Sequence, residues 1–185
     1  MKKVPAKFFR QPTLEVAHKL IGKSLVFQQN NQQLSGIITE TEAYTQEDPA
    51  CHAYLGKKTP RNNAMFMPPG TIYIYFIYGM YHCLNFVTEE TNRGCAVLIR
   101  EVIPQDGIQL MHTNRPNQPL KNLTNGPAKL MQAFNIPATL NKTPYNKSPL
   151  FVTQPNKQNN YNIKQLPRIG IKQATDKLWR FKLIK

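Results

Sequence analysis

The chain has 185 residues, of which 41% are hydrophobic and 18% are charged, and its 24 Lys and Arg against 10 Asp and Glu give a net charge of +14. This size and composition favour one domain with its own core, and they exclude a disordered chain or a coiled coil. The apolar runs are far shorter than the ~20 residues of a transmembrane helix, and no apolar segment follows the charged start, so we expect a cytoplasmic protein without a secretory signal.

The first third of the chain predicts a helix, a hairpin and a long loop. Apolar side chains recur on one helical face over residues 13–21. Strands over 24–27 and 34–44 are predicted to pair around a Gln- and Asn-rich turn at 28–33. Residues 45–69 contain four prolines and little periodicity, and a loop of this length in a compact domain is usually functional.

The rest of the chain predicts strands in runs with helices grouped between them, which favours an α+β fold. Residues 71–78 are β-branched and aromatic and form a predicted strand that ends at Gly79. The other predicted elements are strands over 81–88 and 95–103 around a turn at 92–94, helices over 105–113 and 126–135, an irregular stretch over 141–162, and short closing strands over 149–153, 168–171 and 179–184. We expect a single domain over residues 1–185.

The positive charge is concentrated in the second half of the chain. Residues 1–101 hold 11 Lys and Arg and 8 Asp and Glu, whereas residues 102–185 hold 13 and 2. A polyanionic partner fits such a surface, and nucleic acid is the first candidate. A basic composition that serves solubility alone would give the same excess of positive charge. Eight of the ten Asp and Glu lie in residues 1–101, apart from the basic second half, and this separation indicates chemistry on a bound polyanion.

Two carboxylates share one face of a predicted strand. Glu40, Glu42 and Tyr44 alternate with apolar and small residues, so a strand points all three to one side. One interpretation is an exposed edge strand whose charges prevent aggregation. The other is a carboxylate at the floor of a cleft, which can activate water as a general base and stabilise a developing cation. The pattern alone does not choose between them.

Four tyrosines lie within nine residues, at positions 73, 75, 78 and 81. They fit a half-buried sheet, and they also fit a surface that stacks unpaired bases at about 1–3 kcal/mol each. Tyr75 and Tyr78 fall on opposite sides of a straight strand. Beside the break at Gly79, however, Tyr78 can protrude at a tip.

The other reactive side chains form no complete motif. Cys51-His52 and His82-Cys83 lack the spacing of zinc ligands, so we expect no metal and no cofactor, and an odd number of cysteines excludes a disulfide scaffold. Arg100 either ends its strand in solvent or pairs with an active-site carboxylate. The absence of a Ser-His-Asp order, a Gly-x-Ser-x-Gly motif and a phosphate loop disfavours acyl transfer and nucleotide hydrolysis.

Several motifs occur in one order from about Phe8 to Phe181. They are Glu40-Thr41-Glu42-Ala43-Tyr44, His52-Ala53-Tyr54, Thr59-Pro60-Arg61-Asn62, Met65-Phe66-Met67-Pro68-Pro69-Gly70, Tyr73-Ile74-Tyr75, Tyr78-Gly79-Met80-Tyr81, Cys83-Leu84-Asn85, Asn125-Gly126-Pro127-Ala128-Lys129-Leu130 and Pro167-Arg168-Ile169-Gly170-Ile171. In this order and spacing they resemble the alkyladenine (3-methyladenine) DNA glycosylase family. The resemblance implies one domain built around a curved antiparallel sheet with short flanking helices.

The resemblance also implies an activity and a partner. The activity is that of a monofunctional glycosylase that flips alkylated purines of the 3-methyladenine and 7-methylguanine type out of duplex DNA. A water molecule activated by a glutamate hydrolyses the N-glycosidic bond and leaves an abasic site for base-excision repair, without strand cleavage. The partner is double-stranded DNA that contains damaged bases, and we expect a monomer.

The resemblance further implies roles for seven residues. These are Glu42 as the catalytic carboxylate, Arg100 as the residue that orders the water with it, Tyr44, His52 and Tyr75 as the pocket for the flipped base, Asn85 as a selectivity residue, and Tyr78 as the wedge that fills the vacated stack. Glu40 is expected to point partly away or to be paired, because a second free carboxylate would oppose the charge of Glu42.

The chain departs from the family pattern at a few positions. Ala128 stands where glycine is frequent, Leu178 precedes Trp179 where proline is common, and the stretch between Ile171 and Leu178 is short. These departures bear on DNA affinity and substrate range. The alternative functions are a non-catalytic module that stacks nucleic-acid bases on tyrosines, which leaves the two glutamates unexplained, and a hydrolase with the same chemistry that acts on RNA or on free nucleosides.

Overall fold

The fold is built on one antiparallel β-sheet, which a computed structural model describes over residues 2–29, 31–154 and 161–184. The strands of these residues are, in chain order, β1 (Ser24–Gln29), β2 (Gln32–Tyr44), β3 (Ile72–Ile77), β4 (Tyr81–Val87), β5 (Ala96–Pro104), β6 (Leu150–Thr153), β7 (Asn162–Leu166) and β8 (Arg180–Ile184). They pair in the order β3-β4-β5-β2-β1-β6, and β8 pairs with both β2 and β7. Sheet and helices form the single α+β domain that the sequence predicts.

The longest strand, β2, lies in the interior of the sheet. It pairs with β5 over residues 36–44, and its other side pairs first with β1 and then, at residues 40–42, with β8. A register shift against β5 beside Glu40 marks a bulge, a feature that re-aims side chains near active sites. Glu40 and Glu42 are therefore paired with strands on both sides, and the interpretation of an exposed edge strand is wrong.

Three short α-helices among the described residues cover the sheet. They are α1 (Thr13–Leu20), α2 (Ile108–Asn114) and α3 (Pro127–Ala133). In α1 the side chains of Val16, Ala17 and Leu20 are fully buried in the main core. The face predicted from sequence, which is Leu14, Ala17, His18 and Ile21, is only partly correct, because His18 is exposed. The helix predicted over 105–113 starts later, at Ile108, because Gly107 is left-handed and the amide of Gln105 donates to the carbonyl of Ser35 instead.

The predicted hairpins and strands are largely confirmed, with longer arms in the first hairpin. The predicted turn at 28–33 is shorter, because β1 continues to Gln29 and β2 starts at Gln32; residue 30 lies outside the described residues. Gln28 and Gln33 pair across the two strands and share a side-chain hydrogen bond of 3.1 Å. Polar side chains on an exposed ladder need no burial, so a composition rich in glutamine does not end the strands.

The C-terminal third differs most from the prediction. Residues 168–171, which the structure describes, form no strand. The side chain of Arg168 binds Asp48 in the loop after β2, and the amide of Ile169 donates to the side chain of Glu42 instead of to a ladder partner. Instead, β7 forms before this segment and starts at Asn162, the last residue of the stretch predicted as irregular over 141–162. Residues 155–160 of that stretch lie outside the described residues. Among the described helices, none has the length and apolar character that a membrane crossing requires.

Candidate active site

A cavity of about 530 Å³ opens where β2, β3, β4 and β5 meet the long loop after β2. Its lining includes all seven residues that the family resemblance assigns to the site: Glu42, Tyr44, His52, Tyr75, Tyr78, Asn85 and Arg100. The rest of the wall comes from the start of α3, including Ala128, and from residues 169–173 between β7 and β8. Residues as far apart in the sequence as Glu42 and Gln173 thus meet at one cavity.

Glu42 lies at the floor of this cavity with its side chain fully buried. Its Oε2 accepts a hydrogen bond of 2.7 Å from the hydroxyl of Tyr44, and its Oε1 accepts one of 2.8 Å from the backbone amide of Ile169. Nη1 of Arg100 lies 3.3 Å from Oε1. Two hydrogen bonds and one ion pair therefore fix the orientation of the carboxylate at the floor of the cavity.

Arg100 joins the two glutamates of β2. Its Nε donates to Oε1 of Glu40 at 3.1 Å, while its Nη1 faces Glu42. Glu40 also receives Nη1 of Arg180 at 3.0 Å and Nζ of Lys182 at 2.7 Å. Burial raises the pKa of Glu40, but the hydrogen bonds and charges of Lys182, Arg180 and Arg100 outweigh it and hold the pKa below its usual value. Glu40 is paired, as expected, and orients Arg100.

Aromatic rings form one wall of the cavity. The imidazole of His52 stands edge-on to the ring of Tyr75, with centroids 4.7 Å apart, and its Nδ1 lies 2.9 Å from the hydroxyl of Tyr73. His52 keeps part of its surface exposed in the open cavity. Desolvation by the neighbouring rings and the charge of Arg61 nevertheless lower the pKa of His52 to about 4, so the ring is neutral at pH 7.

Tyr44 and Tyr75 of the cavity are held in the protonated form. Burial, followed by the charge of Glu42 and the hydrogen bond to it, raises the pKa of Tyr44 far above its usual value. Burial likewise raises the pKa of Tyr75, which also hydrogen-bonds to Cys83. The wall therefore presents neutral rings without a positive charge of their own.

Asn85 lies beneath these rings in β4 and is buried. Its Nδ2 donates to the backbone carbonyls of Tyr73 at 3.1 Å and Cys83 at 3.3 Å. Both amide hydrogens are thus directed to the sheet, and a side chain held in this way gives the cavity a fixed shape at its floor.

Tyr78 protrudes at the tip between β3 and β4. Its side chain is 76% exposed and its backbone is left-handed (φ 52°), as is that of Gly79 (φ 68°). Phe76 and Met80 beside it are also exposed, and Nη2 of Arg61 donates to the carbonyl of Phe76 at 3.2 Å, which ties the tip to the long loop. The protrusion predicted from the break at Gly79 is confirmed.

Sequence reasoning missed two contributors to the site. The amide of Ile169 contacts Glu42, and the side chain of Arg168 forms a buried ion pair with Asp48. Arg168 and Ile169 were placed in a strand, and a backbone donor leaves no residue-type signal. Among the described residues, no group of three or more His, Cys, Asp or Glu side chains is arranged to hold a metal ion.

Comparisons with known proteins agree with the family resemblance. The chain is similar to proteins named "Putative 3-methyladenine DNA glycosylase" in three bacteria. The identity is 45% over 182 residues with the protein of Prosthecochloris aestuarii (97% of this chain, 87% of that protein), 39% over 191 residues with that of Salinibacter ruber (98% and 93%), and 42% over 192 residues with that of Clostridium tetani (97% and 94%). The sequence model of the methylpurine-DNA glycosylase family matches residues 7–185. The chain therefore belongs to the methylpurine-DNA glycosylase family.

Proposed function

We propose that this DNA glycosylase removes alkylated purines from duplex DNA by flipping them into the cavity and hydrolysing the N-glycosidic bond with a water molecule that Glu42 activates. The observation that carries the proposal is the environment of Glu42: a fully buried carboxylate at the floor of an open cavity, held by two hydrogen bonds and one ion pair. A general base must be held within reach of the proton that it takes, and these contacts fix the carboxylate in place.

The reaction requires from the protein chiefly a general base and a cavity that fits the purine. The water oxygen attacks C1′ of the deoxyribose and its proton passes to Glu42. The electron pair of the N-glycosidic bond leaves with the purine, which loses its positive charge and needs no acid from the enzyme. The carboxylate also balances the positive charge that develops on the sugar, as in other glycoside hydrolyses. The product is an abasic site. Lys172 also lines the cavity, but the proposed reaction uses water and no amine to attack the sugar, so we expect the strand to stay intact.

The neutral aromatic wall fits a cationic base. A purine alkylated at N3 or N7 carries positive charge, and ring faces attract cations by up to about 2 kcal/mol when water is excluded. Tyr44 and Tyr75 supply such faces. Because the pKa of His52 is lowered to about 4, this histidine adds no like charge at pH 7. Selection of damaged over normal purines then rests on charge as well as on shape, with Asn85 as the steric limit at the floor.

Tyr78 is suited to occupy the space that the base leaves. Extrusion of a base costs a few kcal/mol, and an inserted side chain recovers part of that cost by stacking on the neighbouring bases. An exposed ring on a tip fixed by Arg61 is a side chain that can enter a base step without rearrangement of the fold. The net charge of +14 supplies the attraction to phosphates.

The test is release of 3-methyladenine from methylated duplex DNA by the wild type, by Glu42→Gln and by a matched control, Glu47→Gln. Glu47 is an exposed carboxylate paired with Arg93 outside the cavity. Glu42→Gln removes the general base, so we expect the single-turnover rate of 3-methyladenine release to fall at least about 100-fold while duplex binding persists. Glu47→Gln should release 3-methyladenine at the wild-type rate. Equal rates for wild type and Glu42→Gln would exclude the role of Glu42.

The same assay separates the alternatives. A wild type that binds duplex DNA and releases no base is a binding module that stacks bases on its tyrosines. The same lesion placed in DNA, in RNA and in a free nucleoside identifies the substrate, and we expect the DNA duplex to react fastest. We also propose that the chain acts as a monomer, which light scattering on the purified protein tests.

A further inference from the structure

Arg168 lies outside the cavity, yet it is one of the most deeply enclosed charges of the described chain. Its Nη2 donates to Oδ1 of Asp48 at 3.0 Å, its Nη1 donates to the other carboxylate oxygen, and both side chains are fully buried. Nη1 also donates to the backbone carbonyl of Ala43 at 3.0 Å. The guanidinium lies 4.8 Å from the ring centre of Tyr44 and 5.1 Å from that of Trp179.

This ion pair connects two loops that both line the cavity. Asp48 begins the turn that leads to His52, since its backbone carbonyl accepts from the amide of Cys51 at 2.8 Å. Arg168 directly precedes residues 169–173, which form another part of the lining. The end of β2, where Ala43 and Tyr44 lie, is the third element that the guanidinium contacts. One side chain thus ties together three separate parts of the wall.

The loop that Arg168 anchors has no regular secondary structure. Residues 167–179 are all described, and they form neither helix nor strand. Besides Arg168, Nζ of Lys177 lies 4.0 Å from Oδ1 of Asp48 at a partly exposed side chain. The ends of the loop are held where the backbone carbonyl of Pro167 accepts from Arg180 at 2.7 Å and that of Trp179 accepts from the amide of Ala43 at 2.9 Å. The amide that reaches Glu42 belongs to Ile169, the residue directly after Arg168. The position of that donor therefore depends on the anchor beside it.

We propose that Arg168 is a positioning residue, which acts with Asp48 to hold the amide of Ile169 on Glu42 and the ring of Tyr44 against the cavity. The proposal rests on the function of Glu42 given above. Arginine suits the task because its planar group makes two parallel bonds to a carboxylate and stacks on rings at the same time. Lysine keeps the charge but can do neither, so Arg168→Lys removes the geometry and retains the charge.

The test compares single-turnover base release with duplex affinity in Arg168→Lys and in Asp48→Asn. A displacement of about 1 Å in a catalytic group costs about 100-fold in rate. We expect losses of about that size in both variants, with the affinity for undamaged duplex DNA unchanged, because neither side chain lines the cavity or the protruding tip. Equal losses of rate and affinity would overturn the proposal.

A spectroscopic signal reports on the anchor directly. Trp179 is the single tryptophan of the chain and lies against the guanidinium, so release of the loop should move its emission to longer wavelength in both variants. An emission change without a change in base release would show that the loop does not position Glu42. This outcome would overturn the proposal and leave the proposed function intact.

A matched variant controls for loss of stability. Leu150→Ala opens a cavity in β6, on the far side of β1 from β2, at a fully buried side chain. All rates are measured well below the melting temperature of each variant. If Leu150→Ala slows base release as much as Arg168→Lys does, the effect is general destabilisation and the proposal fails. A wild type that releases no base would remove the proposed function, and the role of Arg168 with it.

Discussion

The hydroxyl of Tyr44 lies 2.7 Å from Oε2 of Glu42, and the two residues are separated by one position on the same face of β2. The alternation of a strand is sufficient to bring them together, so the local sequence Glu-Ala-Tyr builds both the carboxylate and one of its donors. The ring of Tyr44 also lines the cavity and contacts Arg168. One tyrosine thus links the floor of the site, its wall and the ion pair behind it.

Tyr44→Phe tests the hydrogen bond apart from the ring. The change removes the donor to Glu42 and keeps the aromatic face. A hydrogen bond to a charged group contributes about 1.5–3 kcal/mol, so we expect base release to slow roughly 10- to 100-fold in single-turnover measurements. Because the ring remains, binding of duplex DNA that contains the lesion should change little.

Tyr54→Phe is the control for this substitution, since Tyr54 is partly exposed and lies outside the cavity. It should leave base release unchanged. A Tyr44→Phe variant as fast as Tyr54→Phe would mean that Arg100 and Ile169 suffice to hold Glu42.

Glu40→Gln tests the charge that neutralises three basic side chains. The pKa of Glu40 lies below its ordinary value of 4.5, so its contribution to stability is present above that pH and is lost as the pH falls through the lower, folded-state pKa. At pH 7 we expect the variant to be less stable by about 1–3 kcal/mol. The loss is not larger because Lys182 is partly exposed, so solvent screens its ion pair with Glu40. Thermal unfolding followed from pH 7 to pH 3 measures the difference.

The two proteins should converge in melting temperature as the pH falls from 4.5 through the lower pKa of folded Glu40, because Glu40 then becomes uncharged in the folded wild type as well. Glu15→Gln is the control, as Glu15 forms an exposed pair with Lys19 and should change stability little. A Glu40→Gln difference that persists undiminished at pH 3 would mean that packing and not charge explains it.

The neutral imidazole of His52 predicts a flat pH response. The folded-state pKa of about 4 lies below the ordinary value of 6.5, so the wild type needs no proton change at His52 between pH 5.5 and pH 8. The ratio of base-release rates between wild type and His52→Gln should therefore stay constant over this range. The NMR shift of the His52 ring should also show no titration there, in contrast to an ordinary histidine near pH 6.5, and such a titration would contradict the prediction.

Sequence pattern was sufficient for most of the fold because its signals are local. The β-branched run before Gly79 predicts β3, and the apolar face of residues 13–21 predicts α1. The failures lie where a partner far away in the sequence decides the structure. Residues 168–171 look like a strand by composition, but a distant carboxylate, Asp48, binds Arg168 and takes this segment out of the sheet.

The contacts of the site likewise fall into those that local sequence predicts and those that depend on distant parts of the chain. Strand alternation brings Glu40, Glu42 and Tyr44 to one face, and the break at Gly79 places Tyr78 at a tip. The residues alone leave open whether Arg100 pairs with a carboxylate, and the family resemblance implies that it acts with Glu42. Its contact with both glutamates depends on the pairing of β2 with β5. The amide of Ile169 could not be found from sequence, because every residue except proline carries the same donor.

Tyr78→Ala tests the wedge. Tyr78 is exposed, so its loss should leave the melting temperature unchanged. Stacking of an aromatic side chain on bases contributes about 1–3 kcal/mol, so we expect base release from a paired lesion in duplex DNA to fall roughly 5- to 100-fold. A lesion opposite a mismatched base or in a single strand costs less to extrude, so the rate of base release from it should fall much less.

Leu120→Ala, at another exposed apolar side chain outside the cavity, is the control. Equal losses on paired and unpaired lesions would indicate that Tyr78 contacts the DNA without replacing the flipped base.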